Sequence, residues 1–287
     1  MRCFYWARIQ IASNFMNRVN SILWTRCFRF LAVFCLSIGS VFAFSVNAED
    51  ESEEARRERL HLYLKGRYIF QKQCSICHGA TGRGDGEWAA NLINKPRNFR
   101  TGIFKFRTTP FGMLPTAEDL KRTIRSGISG TAMPYFKDLS DGDIDSLIVY
   151  IQSLSRQWDD EDLQAEPLRI PDTPEWFGQE SLRRQHAKRA GDRFLQNCAI
   201  CHGAKGDGDG PGGKGLVDVW GFPSKPASLS DEHHKSGDGP QDLYRTIATG
   251  MNGTAMVGFS RAFEPGQIWE LVAYVKGLEG QASREVE

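Results

Sequence analysis

The chain has little net charge and few thiols to spare. Its 287 residues carry 36 Lys+Arg against 35 Asp+Glu, a formal net charge of +1, which excludes a globally basic nucleic-acid binder. Of seven cysteines, Cys3, Cys27 and Cys35 precede residue 48, and the others are Cys74, Cys77, Cys198 and Cys201. Those four fall into two copies of one pattern, so none is left over for a disulfide framework. Sustained apolar–polar alternation is also missing, which argues against a sheet. With 40% hydrophobic and 25% charged residues the chain is too apolar for disorder, and its length suggests about two domains.

Charge is distributed unevenly. Residues 1–48 hold five arginines (Arg2, Arg8, Arg18, Arg26, Arg29) and no acid, so the remainder has 36 − 5 = 31 basic against 35 acidic residues. Phe30 to Ala48 is uncharged, and Val46-Asn47-Ala48 fits a cleavage site. Basic, apolar and cleavage regions in that order predict a signal peptide over 1–48 and export to the periplasm or an equivalent compartment. Met16 is an alternative start. The uncharged stretch approaches a bilayer span, so an uncleaved anchor is the competing reading, weakened by Ser37, Gly39, Ser40, Ser45 and Asn47.

The two cysteine motifs are Cys74-Ser75-Ile76-Cys77-His78 and Cys198-Ala199-Ile200-Cys201-His202. A thioredoxin-like pair has no use for the following histidine. A zinc site of four thiolates normally places its second pair within a few tens of residues, far closer than Cys198 is to Cys77. Covalent haem uses every residue: two thiols add to the two vinyl groups on one ring edge, and the adjacent histidine ligates the iron.

An internal repeat surrounds the motifs. Cys74–Gly86 and Cys198–Gly210 share C-x-I-C-H-G-A-x-G-x-G-D-G, and Asp119-Leu120-x-Arg122-Thr123-Ile124-x-x-Gly127 returns as Asp242-Leu243-x-Arg245-Thr246-Ile247-x-x-Gly250. Gly130-Thr131-Ala132-Met133 recurs as Gly253-Thr254-Ala255-Met256, at a distance from the first cysteine that differs by one residue. Methionine is a common apolar filler, but this duplication makes Met133 and Met256 the candidate sixth ligands, soft donors that favour ferrous iron. Met113 competes in the first half, and Met251, His233 or His234 in the second. His61 and His186 lie on the helices preceding each motif and are expected to face solvent.

Helices are expected over Glu53–Gln73 and Ser181–Asn197, each running into a motif. Thr116-Ala117-Glu118-Asp119 looks like a cap opening a helix that ends near Gly127. Ile144, Leu147, Ile148, Ile151 and Leu154 form one apolar helical face, echoed by Ile268, Leu271, Val272, Val275 and Leu278 after Pro265. Pro167, Pro171 and Pro174 mark a linker. Gly208-x-x-x-x-Gly213-Lys214 lacks the Ser or Thr of a phosphate loop, and Asp207-Gly208-Asp209 meets Pro211 where a calcium ligand belongs.

Together, Cys74-x-x-Cys77-His78 with Met133, and Cys198-x-x-Cys201-His202 with Met256, resemble class I (mitochondrial-like) cytochrome c domains in tandem. The resemblance spans roughly 66–155 and 191–278, and Tyr150 and Tyr274 on the closing helices fit it. It implies an all-α fold: a first cytochrome c domain at 49–155, a Pro-containing linker at 156–180 and a second domain at 181–287. It implies two covalently bound haem c groups, attached through Cys74, Cys77, Cys198 and Cys201. His78 and Met133 would be axial ligands to one iron, His202 and Met256 to the other. Pro96 and Pro226 become the expected carbonyl acceptors for the proximal histidines.

The implied activity is single-electron transfer between periplasmic redox proteins, without a bond-making catalytic residue. The stretch Lys95-Pro96-Arg97-Asn98-Phe99-Arg100, with Phe104-Lys105-Phe106-Arg107, further resembles carriers serving a molybdenum oxidoreductase such as a nitrite oxidoreductase. Its charges are expected to pack over a haem edge, with partner docking the alternative. Arg122 and Arg245 are open between a propionate contact and a solvated helix charge. A dihaem peroxidase, with one iron openable to peroxide, and a haem-bearing subunit of a larger oxidoreductase complex are the rival functions. Nucleic acid is not an expected partner, and a membrane only if the leader is retained.

Overall fold

A computed structural model describes residues 52–279; the leader of 1–48 lies outside the described residues. Ser52 opens α1 (Glu53–Gln73) by accepting a hydrogen bond from the Ala55 amide at 3.2 Å, and two acidic residues follow in the first turn. A single turn, α2 (Ser75–His78), continues from it. Then come α3 (Ala117–Ser126) and α4 (Asp141–Ser153). The second half repeats the order as α5 (Glu180–Asn197), α6 (Ala199–His202), α7 (Pro240–Thr249) and α8 (Pro265–Leu278). The described residues contain no strand, only an isolated bridge between Val217 and Pro223.

Reciprocal capping boxes set two helix starts. Thr116 and Asp119 close one on α3, Ser140 and Asp143 the other on α4. In each half the first and last helices cross and enclose the core. Phe70 and Tyr150 meet at 5.1 Å between ring centroids in the first half, and Phe194 and Tyr274 at 4.7 Å in the second. Ile144, Leu147, Ile148 and Ile151 are buried along α4, as are Ile268, Leu271, Val272, Val275 and Leu278 along α8. The apolar stripes written into the sequence therefore face inward, where each large side chain contributes about 1.5–3 kcal/mol.

Gly66 marks the first crossing, because an added Cβ there would collide with the Ser146 carbonyl. At the corresponding place in α5 the chain has Ala190, fully buried, so the second crossing accommodates a methyl group.

The segment joining the halves is not a free tether. It forms 3₁₀ turns at Arg156–Asp159, Glu161–Leu163 and Glu175–Gly178. Its early part is bound to the first half, with Leu114 N donating to Leu163 O at 2.9 Å and Leu168 N to Thr108 O at 2.8 Å. Its late part enters the second core, where Phe177 packs 5.8 Å from Trp269. His186, expected in solvent, stacks on Trp176 of this segment at 3.8 Å and faces Glu270. His61 is exposed as expected.

The basic stretch after the first motif also departs from expectation. Arg107, 1% exposed, donates to Thr249 O at 2.7 Å and Gly250 O at 3.3 Å in the other half. Lys105 pairs with Asp218 at 3.4 Å, and Arg97 lies over the Trp220 ring at 3.7 Å. Asn252 reaches back to Gly112 N and Met113 O. Three of the five charges thus line the seam between halves, because second-half carbonyls, a carboxylate and a ring face them; Lys95 and Arg100 are exposed.

Gly66→Ala is expected to destabilise the protein by about 1–3 kcal/mol although alanine is the better helix former, because the methyl must push backbone aside. Chemical denaturation of the haem-loaded protein checks this; unchanged or greater stability would contradict the tight crossing.

Candidate haem sites

Each motif is held by backbone. Cys74 N donates to Phe70 O at 2.9 Å, so α1 passes its last bond to the first cysteine, and His78 N donates to Cys74 O at 2.9 Å. The second half repeats this with Cys198 N to Phe194 O at 2.8 Å and His202 N to Cys198 O at 2.9 Å. The glycines that follow, Gly79 and Gly203, turn the chain at φ of +77° and +79°. Side chains there would also strike the Asp85 and Asp209 carboxylates, which explains why C-H-G and the later aspartate repeat together.

The imidazoles are oriented from behind. His78 Nδ1 lies 3.0 Å from the Arg97 carbonyl, and His202 Nδ1 lies 3.0 Å from the Ala227 carbonyl. An Nδ1–H donating to that oxygen leaves the Nε2 lone pair for a metal. Burial pushes both histidines below their usual range, favouring the neutral form that can ligate. Phe99 stacks on His78 at 4.5 Å.

The acceptor is one residue later than expected in both halves. The Pro96 carbonyl instead packs on Gly84, where an added Cβ would meet it at 2.5 Å, and Pro226 packs likewise on Gly208 at 2.6 Å. Two further bonds, Phe99 N to Gly82 O at 2.8 Å and Leu229 N to Gly206 O at 2.6 Å, fix each strap so that the next carbonyl faces the histidine.

The thiols are half-buried and unpaired. Burial pushes Cys74 up to about 12 and Cys198 up to about 11. Exchange chemistry requires an accessible thiolate of lowered pKa, so these pairs are poor dithiol redox centres.

Met133 and Met256 come from separate but equivalent loops. Thr131 Oγ1 accepts from Met133 N at 3.1 Å and donates to Ile128 O at 2.8 Å; Thr254 does the same for Met256 N at 3.1 Å and Met251 O at 2.8 Å. Each loop is tied to the segment following its cysteine motif, by Asn94 Nδ2 to Gly130 O at 3.4 Å and by Val219 N to Gly253 O at 3.0 Å. Beside the motifs lie large apolar side chains left open, including Ile76, Trp88 and Ile93 in one half and Ile200, Val219 and Val257 in the other. Ile93 is 97% exposed. Two thiols, a neutral imidazole with a free nitrogen and uncovered apolar surface fit a covalently attached porphyrin in both halves.

Three of the four rival ligands have other surroundings, whereas Met251 stays in the Met256 loop, its amide donating to the Met256 carbonyl at 2.8 Å. His234 Nε2 faces Glu279 at 3.2 Å and His233 Nδ1 faces Asp238 at 2.9 Å, while Met113 lies at the seam. Arg122 and Arg245 pair with Asp119 at 2.6 Å and Asp242 at 2.5 Å. Arg245 is buried, which removes the solvated-charge reading for it.

A helical, duplicated chain with one Cys-x-x-Cys-His cradle per half is a c-type haem protein. Comparison with known proteins defines the family. Residues 62–151 match the family described as "Cytochrome C oxidase, cbb3-type, subunit III", and residues 188–279 match "Cytochrome c". Among curated proteins, the chain is 27% identical over 237 residues to cbb3-type cytochrome c oxidase subunit FixP of Azorhizobium caulinodans, covering 82% of this chain and 66% of that one, just under two thirds of its length. Among solved structures, it resembles a chain of the reducing HAO-like protein complex of Kuenenia stuttgartiensis. That match has a TM-score of 0.66 and 34% identity, covering 75% of this chain and 96% of the other. The chain belongs to the cytochrome c family, as two cytochrome c domains in tandem with two covalently bound haem c groups and an electron-transfer function.

Covalent attachment predicts a thiol count. Denatured, leader-free protein exported natively is expected to leave none of Cys74, Cys77, Cys198 and Cys201 open to alkylation, and Cys77→Ser is expected to halve the attachment at one ring. Four alkylated sites by mass spectrometry would contradict attachment.

Proposed function

We propose that His78 and Met133 ligate one iron and His202 and Met256 the other, with the domains lying at 49–155 and 181–287. The observation that carries this is the twofold occurrence of one arrangement: an imidazole held at Nδ1 by a backbone carbonyl, and a Thr-clamped methionine loop tied to the same pocket wall. When bound, each haem supplies a one-electron iron couple, whose potential a thioether ligand raises.

The chain's residues orient and insulate. Arg97 and Ala227 carbonyls keep the imidazole rings in one orientation and tautomer. Thr131 and Thr254 restrict where the methionine side chains can reach. Phe99, Phe70 and Tyr150 make the first site apolar on its proximal side, and Phe194 with Tyr274 lines the second core. No proton or leaving group has to move, so these roles suffice.

The compartment follows from the leader: a cleaved signal peptide would place the protein in the periplasm, or an equivalent exported space. Among the described residues no helix is long and apolar enough to cross a membrane. The partners are redox proteins of that compartment. The relatives named above are a subunit of an oxidase and a chain of a multi-protein complex, which supports a haem-bearing subunit passing electrons within an assembly. The Lys95–Arg107 stretch is less available for docking a molybdenum oxidoreductase than the sequence suggested, since Arg97, Lys105 and Arg107 are turned into the seam.

Met133→Ala and Met256→Ala are each expected to remove about half of the methionine–iron charge-transfer absorption. Each should also lower one midpoint potential by more than about 59 mV, the tenfold step for a one-electron couple. Retention of the full band in both variants would refute the ligands. Peroxide turnover by partly reduced protein would favour the enzymatic alternative.

A further inference from the structure

Arg97 has two attachments that belong to different halves. Its carbonyl accepts from His78, while its guanidinium carbon lies over the Trp220 ring, 3.7 Å from the centroid. The backbone that carries the ring is itself held. Asp218, buried, accepts from Trp220 N at 3.2 Å and Phe222 N at 3.0 Å, and pairs with Lys105 at 3.4 Å. Gly253 also packs against the indole, with room for no Cβ: one would meet Cη2 at 2.6 Å. Gly253 opens the loop that carries Met256, and its carbonyl is bonded by Val219. Trp220 is thus wedged between the residue that orients the first proximal histidine and the loop bearing the second methionine.

We infer that Trp220 is a positioning residue coupling the two haem sites: through Arg97 it fixes the carbonyl that orients His78, although it lies in the other half. Tryptophan offers the best ring face for a cation, and such a contact gains from exclusion of water. Outer partners of a ligating histidine control its donation to the metal. The second half has no counterpart in the opposite direction, because its acceptor is Ala227, whose methyl cannot reach across the seam. Control by side-chain anchoring of the proximal carbonyl therefore runs from the second half to the first.

This rests on ligation of the first iron by His78. The test is a spectrally monitored redox titration of the intact dihaem protein, taking as the His78 centre the one that Met133→Ala lowers. Trp220→Leu is expected to raise that centre by about tenfold in electron affinity, 59 mV for one electron, as a loosened carbonyl leaves the imidazole a weaker donor to ferric iron. Arg97→Lys keeps the charge but loses the guanidinium over the ring, and should shift the His78 centre the same way while sparing the His202 centre. Combining the two should add little beyond either alone, since both break one contact. Trp220→Phe retains an aromatic face for the guanidinium and should restore most of the original value. An unmoved His78 centre in Trp220→Leu, or strictly additive shifts in the double variant, would overturn the inference. Failure of the underlying ligation would show differently, as Met133→Ala leaving both centres of the parent protein unchanged.

Discussion

The bond from each histidine Nδ1 to a backbone carbonyl governs the organisation of both sites. It sets tautomer and ring orientation, and it leaves one nitrogen free to coordinate. A side-chain acceptor could rotate away, but a carbonyl moves only with its backbone. The surrounding structure fixes that backbone from two directions: glycines too small to repel the strap, and amide bonds from Phe99 and Leu229 that pin its far end. The helix crossings, the one-turn helices α2 and α6 and the glycine turns all serve to bring motif and strap to the same distance, 3.0 Å in both halves.

Duplication produced two such arrangements, and divergence then joined them. Equivalent aromatic pairs, capped helices and methionine loops show what was kept. The halves differ between motif and third helix, where Arg97, Lys105 and Arg107 of the first half reach across the seam to groups of the second. Burying Arg107 and half-burying Arg97 and Lys105 is costly unless each finds partners. Here Arg107 meets two carbonyls, Lys105 a carboxylate and Arg97 an indole face. Burial pushes the Arg97 guanidinium down to about 10, still charged near neutrality, with Asp218 opposing the shift. The seam is therefore specific in register, since a slip would strand these charges.

The local pattern of the fold was legible. Glu53–Gln73 is a helix over the expected bounds, Thr116 caps α3, and the apolar stripes of α4 and α8 face the core because 3.6-residue periodicity and capping chemistry act within a few residues. The haem-bearing cysteines and histidines stood out since the chain spends every thiol beyond residue 48 on them. Long-range facts were harder. The proline reading missed the acceptor by one residue because carbonyl direction depends on packing against Gly84 and Gly208, which no spacing encodes. His186 was assigned to solvent on its helix position, yet Trp176 from a distant turn covers it. The basic loop was expected over a haem edge, with docking as the alternative; its seam partners, Asp218, Trp220 and Thr249, lie more than a hundred residues away and no local pattern announces them. Most misses concern which remote group arrives, and the arriving groups, Asp218, Trp220 and Trp176, had no local signal of their own.

The most direct test of the central arrangement is nuclear magnetic resonance of the reduced protein with isotope-labelled histidine. Two ring Nδ1–H protons, one each from His78 and His202, are expected to be resolved and protected from exchange with solvent. Rapidly exchanging protons, or protonation at Nε2 in either residue, would contradict the orientation on which both sites are built.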